Sequence, residues 1–226
     1  MNPQQDNASY RRFCETARRA LEQEANRLQG RGFEQLASLE ARWHPNGFAV
    51  FHIHEDHDLG NLRLHIWPDT LRLSRPEGEY VHTHAWNLCS RILAGNYAET
   101  LYEETPPETA DAEHYYSAII NYRVDRNSIL NPSTAWLRPT VKTQAASGDH
   151  HEVAAGVPHQ THITAGKFTA TLLFTSPPVL NTVMVYSPRK IHPNNYQRPM
   201  LTEAQKTDLL SRLAQESVVK EGVQDS

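Results

Sequence analysis

The sequence predicts an all-β core, built as a sandwich or a barrel, with helices before it and one helix after it. From residue 48 to about residue 186, short runs rich in β-branched and aromatic residues recur, and Gly, Pro, Asn and Asp separate them. Many short strands at close spacing are typical of a sandwich or a barrel. Apolar residues at helical spacing occur instead near the two ends of the chain. A single domain with residues 48–186 as its core is therefore expected.

Two helices are predicted before the core. Within residues 8–29, apolar residues recur near helical spacing among Arg and Glu. Residues 33–43 place Leu36 and Trp43 on one side of a second predicted helix, and the His-Pro-Asn-Gly sequence after it predicts a turn. Residues 1–47 are therefore expected to form a helical cap that packs outside the main body.

The C-terminal extension, residues 187–226, carries one predicted helix. Thr202 and Gln205 stand just before the apolar residues Leu209 and Leu213, in the pattern of a capping box. In such a box each side chain bonds the backbone N–H of the other residue, so the helix is expected to start at Thr202. The apolar faces of the terminal helices need cover, which leaves a homodimer open.

The composition is that of an ordinary globular protein. Of the 226 residues, 38% are hydrophobic and 21% are charged, so the chain can bury a core. The formal net charge of −4 and the lack of long Lys or Arg runs argue against nucleic acid as a partner. No apolar stretch is long enough to span a bilayer, so a cytoplasmic protein without a membrane partner is expected. Cys14 and Cys89 are expected to be free thiols there.

A pair of histidines two residues apart, His82 and His84, is a candidate chelating site. Side chains two apart on a strand point to the same face, so both imidazoles can reach one interior point. Chance alone predicts about one such pair in a chain with 13 histidines, and a second pair occurs at His52 and His54. That second pair, which His57 follows closely, is interpreted as a polar rim at a strand end, with another metal site as the alternative.

The surroundings of these histidines match two separated motifs. Gly95 follows His84 at the distance of a turn glycine, after a buried-strand pattern. The second motif has the form G-x5-P-x-G-x2-H, and its matching positions are Gly148, Ala154 in place of proline, Gly156 and His159. Over roughly residues 48–178 the chain thus resembles the cupin superfamily. This resemblance implies a cupin (jelly-roll-like) β-barrel with N-terminal helices and a C-terminal helix, and a metal bound by His82, His84 and His159.

The resemblance is closest to the thiol dioxygenases, the cysteine dioxygenase-like branch of that superfamily. There a cysteine replaces the usual glutamate five residues after the second histidine, and Cys89 occupies that position. Further matching segments are Asn61-Leu62, Gly95-Asn96, Glu99-Thr100 and Ser176-Pro177-Pro178. Thr175 stands where animal cysteine dioxygenases have a tyrosine joined to this cysteine, so no Cys–Tyr crosslink is expected. No arginine precedes Asn61 at the place where those enzymes bind the substrate carboxylate.

The resemblance implies a mononuclear non-heme iron(II) oxygenase that acts with O2 on a small thiol or amino-acid-like substrate. Fe(II), one per chain, would be the cofactor and Cys89 a catalytic residue. Three neutral imidazoles without a carboxylate leave a divalent ion its full charge and open positions, which suits Fe(II). A metal-dependent cupin isomerase, lyase or dehydratase and a non-catalytic cupin that binds a small ligand are the alternatives. Cys89 can equally be a small buried hydrophobe.

Residues that bind the substrate are predicted on the strand that contains Arg63. Arg63 is in phase with His65 and Trp67, so the three side chains share one face of that strand. The predicted substrate contacts are Arg63, His65 and Tyr97, with Arg75, Arg123 and Arg138 as further candidate anchors. The histidines interpreted as solvated are His150, His151 and His162.

Overall fold

Two antiparallel β-sheets form the body of the protein, which confirms the predicted all-β core. The computed structural model describes residues 8–56, 60–69, 80–122 and 126–218. Of the residues singled out in the sequence, His57, Arg75 and Arg123 lie outside the described residues.

Within the described ranges, thirteen strands build the two sheets. In chain order they are β1 Ala41–Trp43, β2 Ala49–Asp56, β3 Gly60–Trp67, β4 Val81–His82, β5 Leu88–Ala94, β6 Asn96–Glu104, β7 Glu113–Tyr122, β8 Arg126–Ala146, β9 His150–Val153, β10 His159–His162, β11 Thr169–Thr175, β12 Met184–Ser187 and β13 Asn194–Gln197. The six-stranded sheet has the order β1-β2-β3-β11-β5-β9, and the seven-stranded sheet has the order β13-β8-β6-β10-β4-β12-β7. Because β7 also pairs with β8, the ladders of the seven-stranded sheet close into a ring from β8 round to β7.

Helix α1, Ala8–Arg31, confirms the predicted N-terminal helix. It lies against β5 and β11 of the six-stranded sheet. The buried side of the helix consists of Tyr10, Cys14, Ala17, Leu21, Ala25 and Leu28. Gly32 follows the helix with φ +83°, the left-handed conformation that glycine adopts without strain after a helix end.

The prediction of a second helix before the core is wrong. Only Glu34–Ser38 forms a short 3-10 helix, and Ala41–Trp43 is the first strand of the six-stranded sheet. Gly47, with φ +78°, lies in the tight turn after Trp43, and this turn places Trp43 opposite Ala49 in the β1–β2 ladder. Pairing with β2 outweighs the helical spacing because so short a helix has little stability of its own. The sheet therefore begins before residue 48.

Helix α2, Glu203–Val218, confirms the predicted C-terminal helix and its capping box. The N–H of Gln205 donates to Oγ1 of Thr202 at 3.2 Å, and the N–H of Thr202 donates to Oε1 of Gln205 at 2.9 Å. The extension also contributes β13, which pairs with β8. Neither of the helices in the described part of the chain is both long enough and apolar enough to cross a membrane.

The main hydrophobic core lies between the two helices and one face of the six-stranded sheet. Leu21 of α1 and Leu213 of α2 are fully buried there, together with Phe51, Leu64 and Leu172 of the sheet. Successive side chains of a strand point to opposite faces. Alternate residues of the same strands therefore face the seven-stranded sheet, and the candidate functional site lies between the two sheets.

Candidate metal centre

The structure brings His82, His84 and His159 together. His82 ends β4, His84 lies two residues further on, and His159 begins β10 directly opposite His82 in the β10–β4 ladder. One ring nitrogen from each of the three lies within 4.8 Å of the others. No other three His, Cys, Asp or Glu side chains in the described ranges meet this condition. The separated motifs of the sequence thus meet at one point.

Backbone carbonyls orient two of the three imidazoles. Nδ1 of His82 lies 3.1 Å from the carbonyl oxygen of Tyr80, and Nδ1 of His159 lies 2.9 Å from that of Val157. A carbonyl only accepts, so Nδ1 carries the proton in both rings and Nε2 carries the lone pair. Such a bond on the outer nitrogen is the usual way in which a metal-binding histidine is held. Both rings are therefore fixed in the tautomer that a metal ligand requires.

The third imidazole, that of His84, is half-buried beside Trp86. The two rings stack with centroids 5.4 Å apart and 18° between their planes. Nδ1 of His84 is buried and has no hydrogen-bond partner among the described residues. A buried polar atom without a partner is costly, and such atoms in native proteins often mark an ion or water site.

Two of the three imidazoles, those of His84 and His159, suit a metal because burial favours their neutral form. Burial lowers the pKa of His84 well below its ordinary value, and the neighbouring imidazoles of His82 and His159 add to the effect. Burial also lowers the pKa of His159, although the Glu99 carboxylate and the Val157 carbonyl partly offset it. A neutral imidazole offers its lone pair to a cation without first losing a proton.

The arrangement fits one transition-metal ion. Imidazole nitrogens that bind an ion at about 2.1 Å lie roughly 3 to 3.5 Å from one another, so small ring rotations close the present group around it. A donor set of imidazoles suits iron, zinc, copper or nickel. His82, His84 and His159 would be the protein's ligands, as the two motifs predict.

The three histidines line a cavity of about 350 Å³ between the two sheets. This size is at the small end of pockets that bind small molecules. Its aromatic lining residues are Phe48, Trp67, Trp86 and Tyr97, and its polar lining residues include His44, Asn46, His52, Arg63, His65 and Arg198. Aromatic walls beside a metal-binding group exclude water and leave a few polar atoms to orient a ligand.

The predicted substrate-binding residues on β3 all line this cavity. Arg63, His65 and Trp67 alternate along the strand and face the interior, which settles the face that strand phase alone left open. The Arg63 guanidinium lies 5.9 Å from the centre of the Trp86 ring, and its Nη2 lies 3.9 Å from Oε1 of Glu55. Burial, with the cationic Arg63 nearby, lowers the pKa of His65 well below its ordinary value, so His65 is neutral.

Tyr97 also lines the cavity, but its hydroxyl is hydrogen-bonded to a carboxylate. The hydroxyl donates to Oε2 of Glu99, and the ring lies 6.5 Å from Trp67 and 4.9 Å from His151, centre to centre. Burial raises the pKa of Tyr97 well above its ordinary value, and the Glu99 charge reinforces the shift. Tyr97 therefore presents a neutral ring to the cavity.

Cys89, predicted to be catalytic, does not line the cavity with the predicted substrate-binding residues. Its neighbours on β5, Leu88 and Ser90, line the cavity, so the alternating side chain of Cys89 points to the opposite face, toward α1. Its Sγ lies 3.9 Å from Oε1 of Glu152. Burial raises the pKa of the Cys89 thiol, and the Glu152 carboxylate adds to this, so the thiol stays protonated. The alternative interpretation, a small buried hydrophobe, fits this environment.

The opposite orientations of Cys89 and Thr175 predict that the chain carries no crosslink at Cys89. Thr175 pairs with Leu88, while Cys89 pairs with Phe174, so Cys89 and Thr175 point to different faces of the sheet. The intact mass is therefore expected to equal that of the unmodified chain. A mass lower by about two hydrogens that persists under reducing agent and disappears in Cys89→Ser would contradict this.

The second histidine pair does not form a metal group in the part of the chain that the structure describes. A bulge in the β2–β3 ladder falls between His52 and His54. His52 lines the cavity, and its Nδ1 lies 2.6 Å from Oε1 of Glu55, whereas His54 is exposed. This matches a polar rim at a strand end, where His52 and Glu55 border the cavity.

Arg138 is placed away from the cavity, which contradicts its role as a candidate substrate anchor. Its guanidinium donates to Glu103 of the neighbouring strand, with Nε 2.9 Å from Oε1 of Glu103. A partly exposed ion pair of this kind contributes little to stability. Arg198, which the sequence did not single out, lines the cavity instead.

A buried carboxylate, that of Glu99, lies beside the centre, and sequence reasoning missed it. Glu99 is 1% exposed, and His151, predicted to be solvated, is buried with Nε2 3.4 Å from Oε2 of Glu99. Burial opposes ionisation of Glu99, but the imidazoles of His159 and His151 and the Tyr97 hydroxyl together hold its pKa below its ordinary value. In the sequence, only the resemblance of Glu99-Thr100 to a thiol dioxygenase segment marks this position.

Comparison with known proteins adds no family to these observations. No protein-family model matches the chain, and no curated protein matches it either.

Proposed function

We propose that this protein is a mononuclear non-heme iron(II) oxygenase that acts with O2 on a small thiol or amino-acid-like substrate. The observation that carries the proposal is the group of His82, His84 and His159 in the lining of an aromatic cavity of about 350 Å³. The ligand group consists of three imidazoles and contains no carboxylate. Fe(II) bound there would keep its double charge and supply open positions for an anionic substrate and for O2.

The cavity residues supply orientation and exclude water. Arg63 brings a positive charge into the same cavity as the three histidines, which suits the carboxylate of an amino-acid-like substrate. His65 adds a neutral polar group, packed 4.8 Å from the Phe48 ring, centre to centre. The aromatic walls limit the water that competes for these groups and strengthen their electrostatic interactions with a bound substrate.

A cupin architecture is part of this proposal. Gly95 occupies the turn between β5 and β6 with φ +77°, as expected of the first motif. Gly148 and Gly156, the glycines of the second motif, also have positive φ values of +98° and +74°. The closed ring of ladders in the seven-stranded sheet agrees with a barrel. A cytoplasmic location and a homodimer stay predictions.

The proposal is tested by metal analysis followed by an oxygen-electrode assay. Protein purified without added metal should contain iron, and the iron-loaded form should consume O2 only with one class in a panel of small thiols and amino acids. Zinc or nickel without O2 uptake would replace the proposal by the isomerase, lyase or dehydratase alternative. Protein without any metal would leave a cupin that binds a small ligand without catalysis.

Replacing Arg63 by Gln is expected to weaken the binding of a carboxylate-bearing substrate. A hydrogen bond to a charged group contributes about 1.5 to 3 kcal/mol, so the KM should rise roughly 10- to 100-fold. Arg138→Gln is the matched control, because Arg138 bonds Glu103 outside the cavity and should leave the KM unchanged. Steady-state O2 uptake measures both, and equal KM values for the two variants would remove Arg63 from substrate binding.

A further inference from the structure

Glu99 lies on the interior face of β6, one step from a predicted metal ligand. In the β6–β10 ladder Glu99 is opposite Thr161, and Leu101 is opposite His159. Residues two apart on a strand share a face, so Glu99 is the diagonal neighbour of His159. Diagonal neighbours in an antiparallel pair have backbones about 7 to 8 Å apart, within reach of long side chains. The Glu99 carboxylate is therefore held near the centre, although it lies outside the group of ligand atoms.

Three groups converge on one oxygen of this carboxylate. The Tyr97 hydroxyl donates to Oε2, Oγ1 of Thr161 lies 3.2 Å from it, and Nε2 of His151 lies 3.4 Å from it. The hydroxyls of Tyr97 and Thr161 donate to this oxygen, and such donors favour the charged form of a carboxylate. A negative charge is therefore built into the interior of the protein beside the three imidazoles.

The other oxygen, Oε1 of Glu99, is buried and has no hydrogen-bond partner among the described residues. A buried charge is costly unless a charge of opposite sign is near. The three groups on Oε2 are a phenol, a hydroxyl and an imidazole, and none of them carries a permanent positive charge. A divalent ion on the three histidines would supply the missing positive charge.

We propose that Glu99 is the charge-compensating carboxylate of the metal centre, acting on the bound ion across His159 without binding it. The inference rests on the metal centre of the proposed function. Three neutral ligands leave a divalent ion uncompensated, and a fixed negative charge in the low-dielectric interior stabilises the bound ion over a distance longer than a bond. Glu99 is a positioning residue, because its charge acts on the ion from beside His159 and its side chain does not bind the ion.

The test is the affinity of the chelator-treated protein for Fe(II), measured anaerobically by competition with a chromophoric chelator. Glu99→Gln keeps the shape of the side chain and its acceptor oxygen but removes the charge. Changes of this kind around a metal centre cost about 10- to 100-fold in affinity, which is the expected loss. Glu99→Asp keeps the charge and should therefore keep most of the wild-type affinity for Fe(II). Glu152→Gln is the matched control, because Glu152 neighbours His151 but points toward α1, where it bonds Arg18.

A second readout separates charge from packing. Loss of a negative charge near the ion favours Fe(II) over Fe(III), so Glu99→Gln should raise the midpoint potential, whereas a purely structural role would leave it unchanged. The inference is overturned if folded Glu99→Gln binds Fe(II) within about threefold of the wild type, or if Glu152→Gln loses as much affinity. A wild type that binds no divalent ion overturns the metal centre and the inference together. The expected affinity loss in a protein that consumes no O2 supports the inference and contradicts the oxygenase.

Discussion

Replacing His84 by alanine is expected to remove most of the bound metal while the fold persists. The change deletes one of three protein ligands, and such a loss should exceed the 10- to 100-fold in affinity that outer residues of a metal site contribute, so a fall of more than about 100-fold is expected. His84 lies between β4 and β5, outside the ladders. Its Nδ1 bonds no described group, so removal of the imidazole takes no Nδ1 hydrogen bond away from any described group. His82→Ala and His159→Ala should give the same metal loss.

Metal content after dialysis, with circular dichroism and a thermal melt for the fold, measures this effect. His150→Ala is the control, because His150 lies in the six-stranded sheet and points toward α1, with Nε2 3.5 Å from Oε1 of Glu22. Full metal content in the three cavity variants would contradict the centre. Equal losses in His150→Ala would show that the effect is not specific to the ligand group.

Gly95→Ala is expected to cost more than about 2 kcal/mol of unfolding free energy. Gly95 has φ +77°, and a left-handed conformation alone costs a residue with a side chain roughly 1 to 2 kcal/mol. A Cβ at this position would also lie 2.2 Å from the carbonyl oxygen of Phe168 and 2.6 Å from Oγ1 of Thr169. The backbone must shift to relieve this contact, because a carbonyl cannot rotate away as a side chain does.

Gly166→Ala separates the two contributions to that cost. Gly166 has φ +70°, close to that of Gly95, but a Cβ there would meet nothing within 4 Å. Urea unfolding of both variants should therefore show only the conformational cost at Gly166 and a clearly larger loss at Gly95. Equal losses of unfolding free energy in the two variants would mean that the backbone at Phe168 moves away from the new Cβ without a free-energy cost.

The histidines of the centre were predictable because each part of their arrangement is visible along the chain. The two-residue spacing of His82 and His84 fixes a common face. The third ligand, His159, is implied by the resemblance of its segment to the second motif. The turn at Gly95 and the capping box at Thr202 were predictable for the same reason, since each depends on a few neighbouring residues.

The remaining features depend on pairing between distant strands. Cys89 stands at the expected offset after His84, but the face to which it points depends on the register of β5 against β9 and β11. A shift of one residue exchanges the two faces of a strand. Glu99 and His151 likewise meet only through the placement of β6 and β9, and no local pattern marks either residue as buried.

The helical spacing of residues 33–43 misled for a related reason. The segment is too short to hold a helix by itself, and the turn at Gly47 offers its backbone a partner strand. Leu36 is still buried, in the 3-10 helix. The apolar pattern therefore predicted its burial correctly, but it predicted the wrong secondary structure for the segment.

The central claim, that His82, His84 and His159 bind one metal ion, is tested most directly by anomalous diffraction. Crystals of protein loaded anaerobically with Fe(II) would be measured on both sides of the iron absorption edge. The account predicts a single strong peak per chain, about 2.1 Å from one nitrogen of each histidine. A peak at any other position, or no peak in protein loaded with iron, would contradict it.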